Sequence, residues 1–161
     1  MNTVVLWEMV LIAFVKGKKL GLMNSKVATN SKACGTAGIM GNKGGMQIHF
    51  KFCNYYFNFI GCHLVHGQDK RVNRDEMMED IIRKLKIERQ EMDPDVISDY
   101  SFIMGDLNYR FQSTYEDMVN NNQIDIACTL LPEKDQLTIS MNRKGNQLEC
   151  QQADGSFLYK Y

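Results

Sequence analysis

Between residues 46 and 104 the hydrophobic pattern changes period twice, and this narrows what the chain can fold into. Residues 46–52 alternate strictly, with Met46, Ile48, Phe50 and Phe52 on one face and Gln47, His49 and Lys51 on the other. That is the pattern of a half-buried strand. Cys53-Asn54 forms a tight connection. Residues 55–64, YYFNFIGCHL, are nearly all apolar and suit a strand buried on both faces. From residue 70 to 90 the period turns helical: Met77, Met78, Ile81, Ile82 and Leu85 recur at helix spacing with charges between them, and the run stops before Asp93-Pro94. Residues 100–104 return to a short buried strand that runs into Gly105-Asp106-Leu107-Asn108. Strands mixed with intervening helices imply an α/β or α+β chain.

The flanks are read in the same way. Residues 4–15, VVLWEMVLIAFV, are the most apolar stretch. They carry Glu8 and fall short of the roughly 20 residues a membrane helix needs, so a buried strand is expected, with its clearest part at 9–15, and no transmembrane segment. A basic start and a small-residue cleavage site are both missing, which argues against a signal peptide. A second strand is expected at 26–32, and a glycine-rich loop at 34–45. Ser113 followed by Glu116 makes a capping box for a helix over 113–122. Pro132 opens another helix to about residue 142. No internal repeat is visible. The 161 residues fit one domain. Lys+Arg and Asp+Glu are both 19, so net charge is zero, which argues against binding nucleic acid by bulk charge and makes any anion site a local cluster. Five cysteines, an odd count, lie at 34, 53, 62, 128 and 150 without CxxC spacing. Cys53 and Cys62 sit in apolar runs and read as reduced core thiols, which favours a reducing, cytoplasmic compartment.

Three places could carry chemistry. Gly41-Asn42-Lys43-Gly44-Gly45 opens onto a strand; its glycines let the backbone approach a ligand, and Lys43 brings a positive charge. It lacks Walker-loop spacing, and on local pattern alone a glycine turn with a solvated lysine is the favoured reading. His63 ends the buried strand, where α/β proteins place active sites, although a histidine there can be a satisfied core residue. His66 follows three residues on, with no third ligand at a metal-site spacing. Asp106 and Asn108 would face one spot if the backbone stays extended, and Arg110 would join them. The plainer reading of that motif is an Asx-turn cap.

Taken together, GNKGG, CHLVHG and GDLNYR resemble, in this order and spacing, the inositol polyphosphate 5-phosphatases of the endonuclease/exonuclease/phosphatase superfamily. The resemblance extends to Arg71-Val72-Asn73-Arg74-Asp75, to Asp135-Gln136-Leu137, and to Asp154-Gly155 with Leu158-Tyr159-Lys160-Tyr161, and so runs from about Leu11 to the last residue. It implies a DNase I-like fold: two packed sheets flanked by helices in a four-layer sandwich. It also implies roles. Asp106 would orient and deprotonate the attacking water, Asn108 would position water and phosphate, and His63 would stabilise charge on the phosphate. Asn42 and Lys43 would meet the 1-phosphate side of the inositol, Tyr159 and Lys160 the 4-phosphate, and Arg110 the substrate. The implied cofactor is Mg²⁺. The implied partner is a phosphoinositide headgroup, met by a protein peripheral to the membrane surface.

The chain also departs from the family pattern. The family's metal-binding Glu, upstream of its GNKG segment, has no counterpart before Leu11. Its Ser-Asp-His motif lies beyond the Tyr-Lys-Tyr at which this sequence ends. His66 stands where Ala is usual, and Leu158 where Thr is usual. The expectation is therefore a partial catalytic domain over 1–161, nearly inactive on its own, with metal ligands unknown. A catalytically dead or phosphoinositide-binding remnant is the alternative. A nuclease is disfavoured by GNKG, by the terminal Tyr-Lys-Tyr and by the zero net charge.

Overall fold

The computed structural model describes residues 2–23, 26–35, 42–92, 98–112, 133–143, 151–153 and 156–158, with the backbone alone over 87–92, 143, 151–153 and 156–158. At its centre is a four-stranded mixed sheet of β3 (Ala28–Ala33), β4 (Gly44–Phe52), β5 (Tyr55–His63) and β6 (Tyr100–Asp106), in that spatial order. The pairs β3–β4 and β4–β5 are antiparallel, and β5–β6 is parallel. The antiparallel turn between β4 and β5 is Cys53-Asn54, both with positive φ (48° and 70°), the two-residue geometry that follows strand twist. The parallel pair needs a crossover, and α1 (Arg71–Met92) supplies it.

Each face of the sheet has its own cover. Met46 and Ile48 point to a hairpin of β1 (Asn2–Leu6) and β2 (Met9–Ala13), packing with Val4, Leu6, Met9 and Leu11. A stack of Phe50, Phe57, Phe59 and Phe102 continues that side. On the opposite face Ile60 and Cys62 meet Ile81 and Leu85 of α1, both fully buried. Hairpin, sheet and helix thus make three stacked layers among the described residues, and the α/β class expected from the pattern holds.

Several expectations need correction. Residues 4–15 are not one buried strand. They fold back at Trp7-Glu8, with Leu6 paired to Met9, and the outward face leaves Val5, Val10, Ile12 and Phe14 exposed. Trp7 takes φ 54°, a conformation a bulky residue rarely adopts, so no turn signal announces this hairpin. The strand β4 is not half-buried, because α1 covers its polar side: Gln47 is 1% and His49 6% exposed. Those polar groups are paired across the sheet. Asn30 Nδ2 donates to Gln47 Oε1 (2.9 Å), Gln47 Nε2 to Asn58 Oδ1 (2.8 Å), and Asn58 Nδ2 to Ser101 Oγ (3.3 Å). A chain of side-chain hydrogen bonds therefore crosses all four strands.

Cys53 is exposed in its turn and is not a core thiol, whereas Cys62 is buried. Burial raises the Cys62 thiol to about 12. Cys34 is also unpaired, and Cys128 and Cys150 lie outside the described residues. The helix expected at 132–142 appears as α2 (Gln136–Arg143). Asp135 precedes it, its Oδ2 accepting from Thr138 N at 2.7 Å, as an N-cap side chain does. The helix expected at 113–122 lies outside the described residues, as does Pro132. A further strand pair, β7 (Gln151–Ala153) and β8 (Ser156–Leu158), is antiparallel.

Candidate active site

Strand register builds the site. In the β4–β5 pair Gly44 lies opposite His63, and in the β5–β6 pair His63 lies opposite Asp106. One row across three strands thus places the end of the glycine loop, the histidine and the aspartate side by side. Two glycines make the close approach possible. A Cβ on Gly44 (φ 149°) would strike the Lys32 carbonyl oxygen, and one on Gly105 (φ 118°) would strike the Cys62 carbonyl oxygen.

His63 Nε2 lies 3.5 Å from Asp106 Oδ2, with the two side chains 34% and 63% exposed. Lys43 Nζ approaches the same imidazole, 2.6 Å from Nε2 and 3.4 Å from Nδ1. A lysine has donors only, so the nitrogen it meets is the ring's acceptor. An ion pair between His63 and Asp106 would require a protonated ring.

The backbone does not stay extended after Asp106. Asn108 takes φ 55°, and Asp106 Oδ1 accepts from Asn108 N at 3.1 Å. The Asx-turn reading is therefore the correct local geometry, and the expectation that Asp106 and Asn108 share a face by strand alternation is not. Asn108 is instead fixed by its side chain: Nδ2 donates to Leu64 O (3.0 Å), and Oδ1 accepts from Arg110 Nη2 (2.8 Å). Arg110 joins the cluster despite the turn. Asp106 O also accepts from Leu64 N at 3.0 Å, which continues the β5–β6 pairing one step past the strand ends.

Lys43, His63, Asp106, Asn108 and Arg110 therefore converge at one end of the sheet. Asn42 is exposed beside Lys43, while Tyr159 and Lys160 lie outside the described residues. His66 is exposed, and among the described residues no group of three or more His, Cys, Asp or Glu converges. A Mg²⁺ site uses one or two carboxylates together with phosphate and water oxygens. Here Asp106 is the one carboxylate of the cluster, and its Oδ1 is already engaged. The described residues do not by themselves make a divalent-cation site, and no step below passes through one.

The sequence singled out Arg74, Asp75 and Gln136 only as parts of motifs and did not show that they form a buried layer behind this cluster. Arg74 of α1 is fully buried. Its Nη1 donates to Val65 O (3.1 Å) and Gly67 O (2.7 Å), its Nη2 to Gln136 Oε1, and its guanidinium lies 5.4 Å from the Tyr109 ring centre. Asp75 accepts from Tyr109 Oη (2.7 Å) and Ser140 Oγ (2.9 Å). The signal was present: Arg74 falls on the same helical spacing as Met77, Met78, Ile81 and Leu85, on the buried stripe.

A sheet whose strand ends gather a lysine, a histidine, an arginine, a carboxylate and an amide describes a class: an α/β protein with a convergent polar cluster at one sheet end. The sequence profile of the Endonuclease/Exonuclease/phosphatase family 2 matches residues 1–161, and the chain belongs to that family. It is 32% identical over 118 residues to the human phosphatidylinositol 3,4,5-trisphosphate 5-phosphatase 2, covering 71% of this chain and 9% of that protein. The zebrafish (Danio rerio) 5-phosphatase 2A is 31% identical over the same share. The crystal structure of the inositol polyphosphate 5-phosphatase domain of SPsynaptojanin, in complex with inositol (1,4)-bisphosphate and calcium ion, superposes with TM-score 0.70 at 26% identity, over 89% of this chain and 40% of that one. The chain thus spans less than half the length of these relatives.

Proposed function

We propose that the chain carries the central part of a phosphoinositide or inositol polyphosphate 5-phosphatase domain, which hydrolyses the 5-phosphate ester. The observation that carries this reading is the convergence of Lys43, His63, Asp106, Asn108 and Arg110 at one sheet end, in a chain of this family. Phosphoryl transfer is mostly positioning and charge stabilisation, and the cluster offers both. The exposed Asp106 carboxylate takes a proton from the attacking water. That water's oxygen bonds to phosphorus as the ester bond breaks, and the proton ends on the released inositol hydroxyl. Asn108, braced by Leu64 O and Arg110, positions water and phosphate. His63 stabilises charge on the phosphate oxygens.

Substrate contacts follow from the resemblance. Asn42 and Lys43 meet the 1-phosphate side, and Tyr159 with Lys160 reads the 4-phosphate; Arg110, bonded to Asn108 Oδ1, is a further substrate-binding residue by its place in the cluster. Mg²⁺ dependence belongs to the same proposal and rests on the resemblance; calcium in the related structure supports a divalent cation in general. The assignment of the protein to the cytoplasm, peripheral to a membrane that holds the headgroup, belongs to the proposal as well and rests on the resemblance. Among the described residues no helix is long and apolar enough to cross a membrane.

A second reading, headgroup binding without turnover, is favoured by the single carboxylate at the cluster. The experiment separates the two. Inositol 1,4,5-trisphosphate is offered with Mg²⁺ to the chain, and to the same residues completed with the relatives' upstream Glu and downstream Ser-Asp-His segments. Release of one phosphate, leaving inositol 1,4-bisphosphate, from the completed form supports the phosphatase. Binding with no release from either form supports the second reading, and neither binding nor release sinks both.

A further inference from the structure

Gln136 stands one step behind the cluster, and its carboxamide bonds to both loops that leave the sheet there and to Arg74 of α1. Oε1 accepts from Arg110 N (3.0 Å) and from Arg74 Nη2, and Nε2 donates to Gln68 O (2.8 Å). The backbone repeats the tie, with Gln136 N donating to Arg110 O at 3.1 Å. The side chain is buried, at 2% exposure. Arg74 donates to the same Oε1 that Arg110 N meets, and it holds the carbonyls of Val65 and Gly67, just past His63. Both loops that leave the sheet at the cluster, 64–68 after His63 and 107–112 after Asp106, are therefore pinned to one buried amide–guanidinium pair. The next links lead outward: Arg110 Nη2 to Asn108 Oδ1, and Asn108 N to Asp106 Oδ1.

We infer that Gln136, clamped by Arg74, is a positioning residue that sets the placement of Arg110 and Asn108. The inference rests on the phosphatase reading for what is being positioned. Holding α2 against α1 would not require these groups, since a buried charged or polar pair can often be replaced by well-packed apolar side chains at little cost. An apolar pair could not orient an amide N–H and three carbonyls belonging to two different loops. A shift of about 1 Å at a reacting group can cost about a hundredfold in rate, so the pair acts through Arg110 and Asn108 without touching the substrate.

The test compares Gln136→Leu, Gln136→Glu and the control Ser140→Ala. Ser140 is buried in the neighbouring Asp75 network, and its hydroxyl bonds to Asp75 and Arg71 rather than to the Gln136 side chain or Arg110. Phosphate release is measured on the chain and on the completed domain, with thermal midpoints alongside. Gln136→Leu should lower kcat about 10–100-fold with KM changed less than about threefold, the pattern of an interaction needed in the transition state. Gln136→Glu keeps an acceptor for Arg74 and Arg110 N and should recover most of that loss. Ser140→Ala should lower the thermal midpoint and leave kcat within about twofold, as expected of a purely structural contact. Amide hydrogen exchange adds a readout that needs no turnover: Arg110 N–H should exchange about tenfold faster in Gln136→Leu, while Ile48 and Ile60 in the sheet stay protected. Equal kcat losses in Gln136→Leu and Ser140→Ala at matched midpoints, or an unchanged Arg110 amide, would overturn the inference. If wild type releases no phosphate in either form, the phosphatase reading fails, and the exchange result alone decides whether Gln136 orders this segment.

Discussion

Asp106 and His63 are the two residues whose loss should weigh most on turnover. In the completed domain, Asp106→Asn or His63→Ala should lower kcat by about 10²–10⁴, the range for acid–base groups, with a smaller effect on inositol phosphate binding. Wild-type kcat in either variant would remove them from the catalytic centre. Neither role could be read from its residue alone. His63 could have been a core histidine, and what distinguishes it is a lysine from one loop and an aspartate from another strand. Asn108 joins the candidate cluster for a reason other than the expected one: strand alternation predicted its direction, and a left-handed backbone with two side-chain bonds determines it. Buried groups give a pH prediction. Burial raises Cys62 to about 12, and burial, reinforced by the bond to Asp75, also raises Tyr109. Both folded values exceed the unfolded ones, so the folded state keeps protons that the unfolded state has lost. The stability they contribute is whole below about pH 9 and declines above it as the unfolded thiol and phenol ionise. Urea midpoints should therefore fall from pH 9 toward 12, and less steeply in the Cys62→Ala, Tyr109→Phe double variant; equal slopes would refute this.

Element by element, the pattern was most legible where one covering layer imposes one period. The helix α1 ends at Met92, as its spacing predicted, and β4, β5 and β6 lie where the runs placed them. The hairpin was not legible, because its turn is Trp-Glu and both strands read as one apolar run. The burial of β4's polar face was also hidden, since alternation alone does not reveal that a helix lies on the hydrophilic side. That helix packs tightly. A Cβ on Gly45 would run into Ile81 Cγ2. Gly45→Ala should cost about 1–3 kcal/mol by overpacking and less in an Ile81→Ala background, because the two changes share one space. Denaturation of the four members of the cycle measures the coupling, and strictly additive costs would mean that the contact is not what limits residue 45.

At the scale of the molecule, the net charge of zero conceals a division. Residues 9–68 hold seven lysines and no Asp or Glu, so a zero sum is compatible with a basic half. Residues 55–64 were expected to be buried on both faces. The sheet and its covers bury the middle of that strand, Asn58 and Ile60–Cys62, whereas the outward face of the hairpin is exposed. Changing Val10 to Lys should reduce self-association in light scattering at high protein concentration without lowering the thermal midpoint; unchanged scattering would show that this face is not the sticky one. The side-chain bonds running from Asn30 to Ser101 have a consequence for how the chain reaches its final form. A slip of one residue between neighbouring strands turns every side chain to the other face. In β5 it would carry Asn58 to the side of Phe50 and Phe102, leaving Gln47 and Ser101 without that partner, at about 1–3 kcal/mol for each stranded group. The same slip would take His63 away from Asp106. A misaligned sheet is thus penalised in its interior at the moment it loses its chemistry, and the amides at mid-sheet act as a proofreader for residues several positions away.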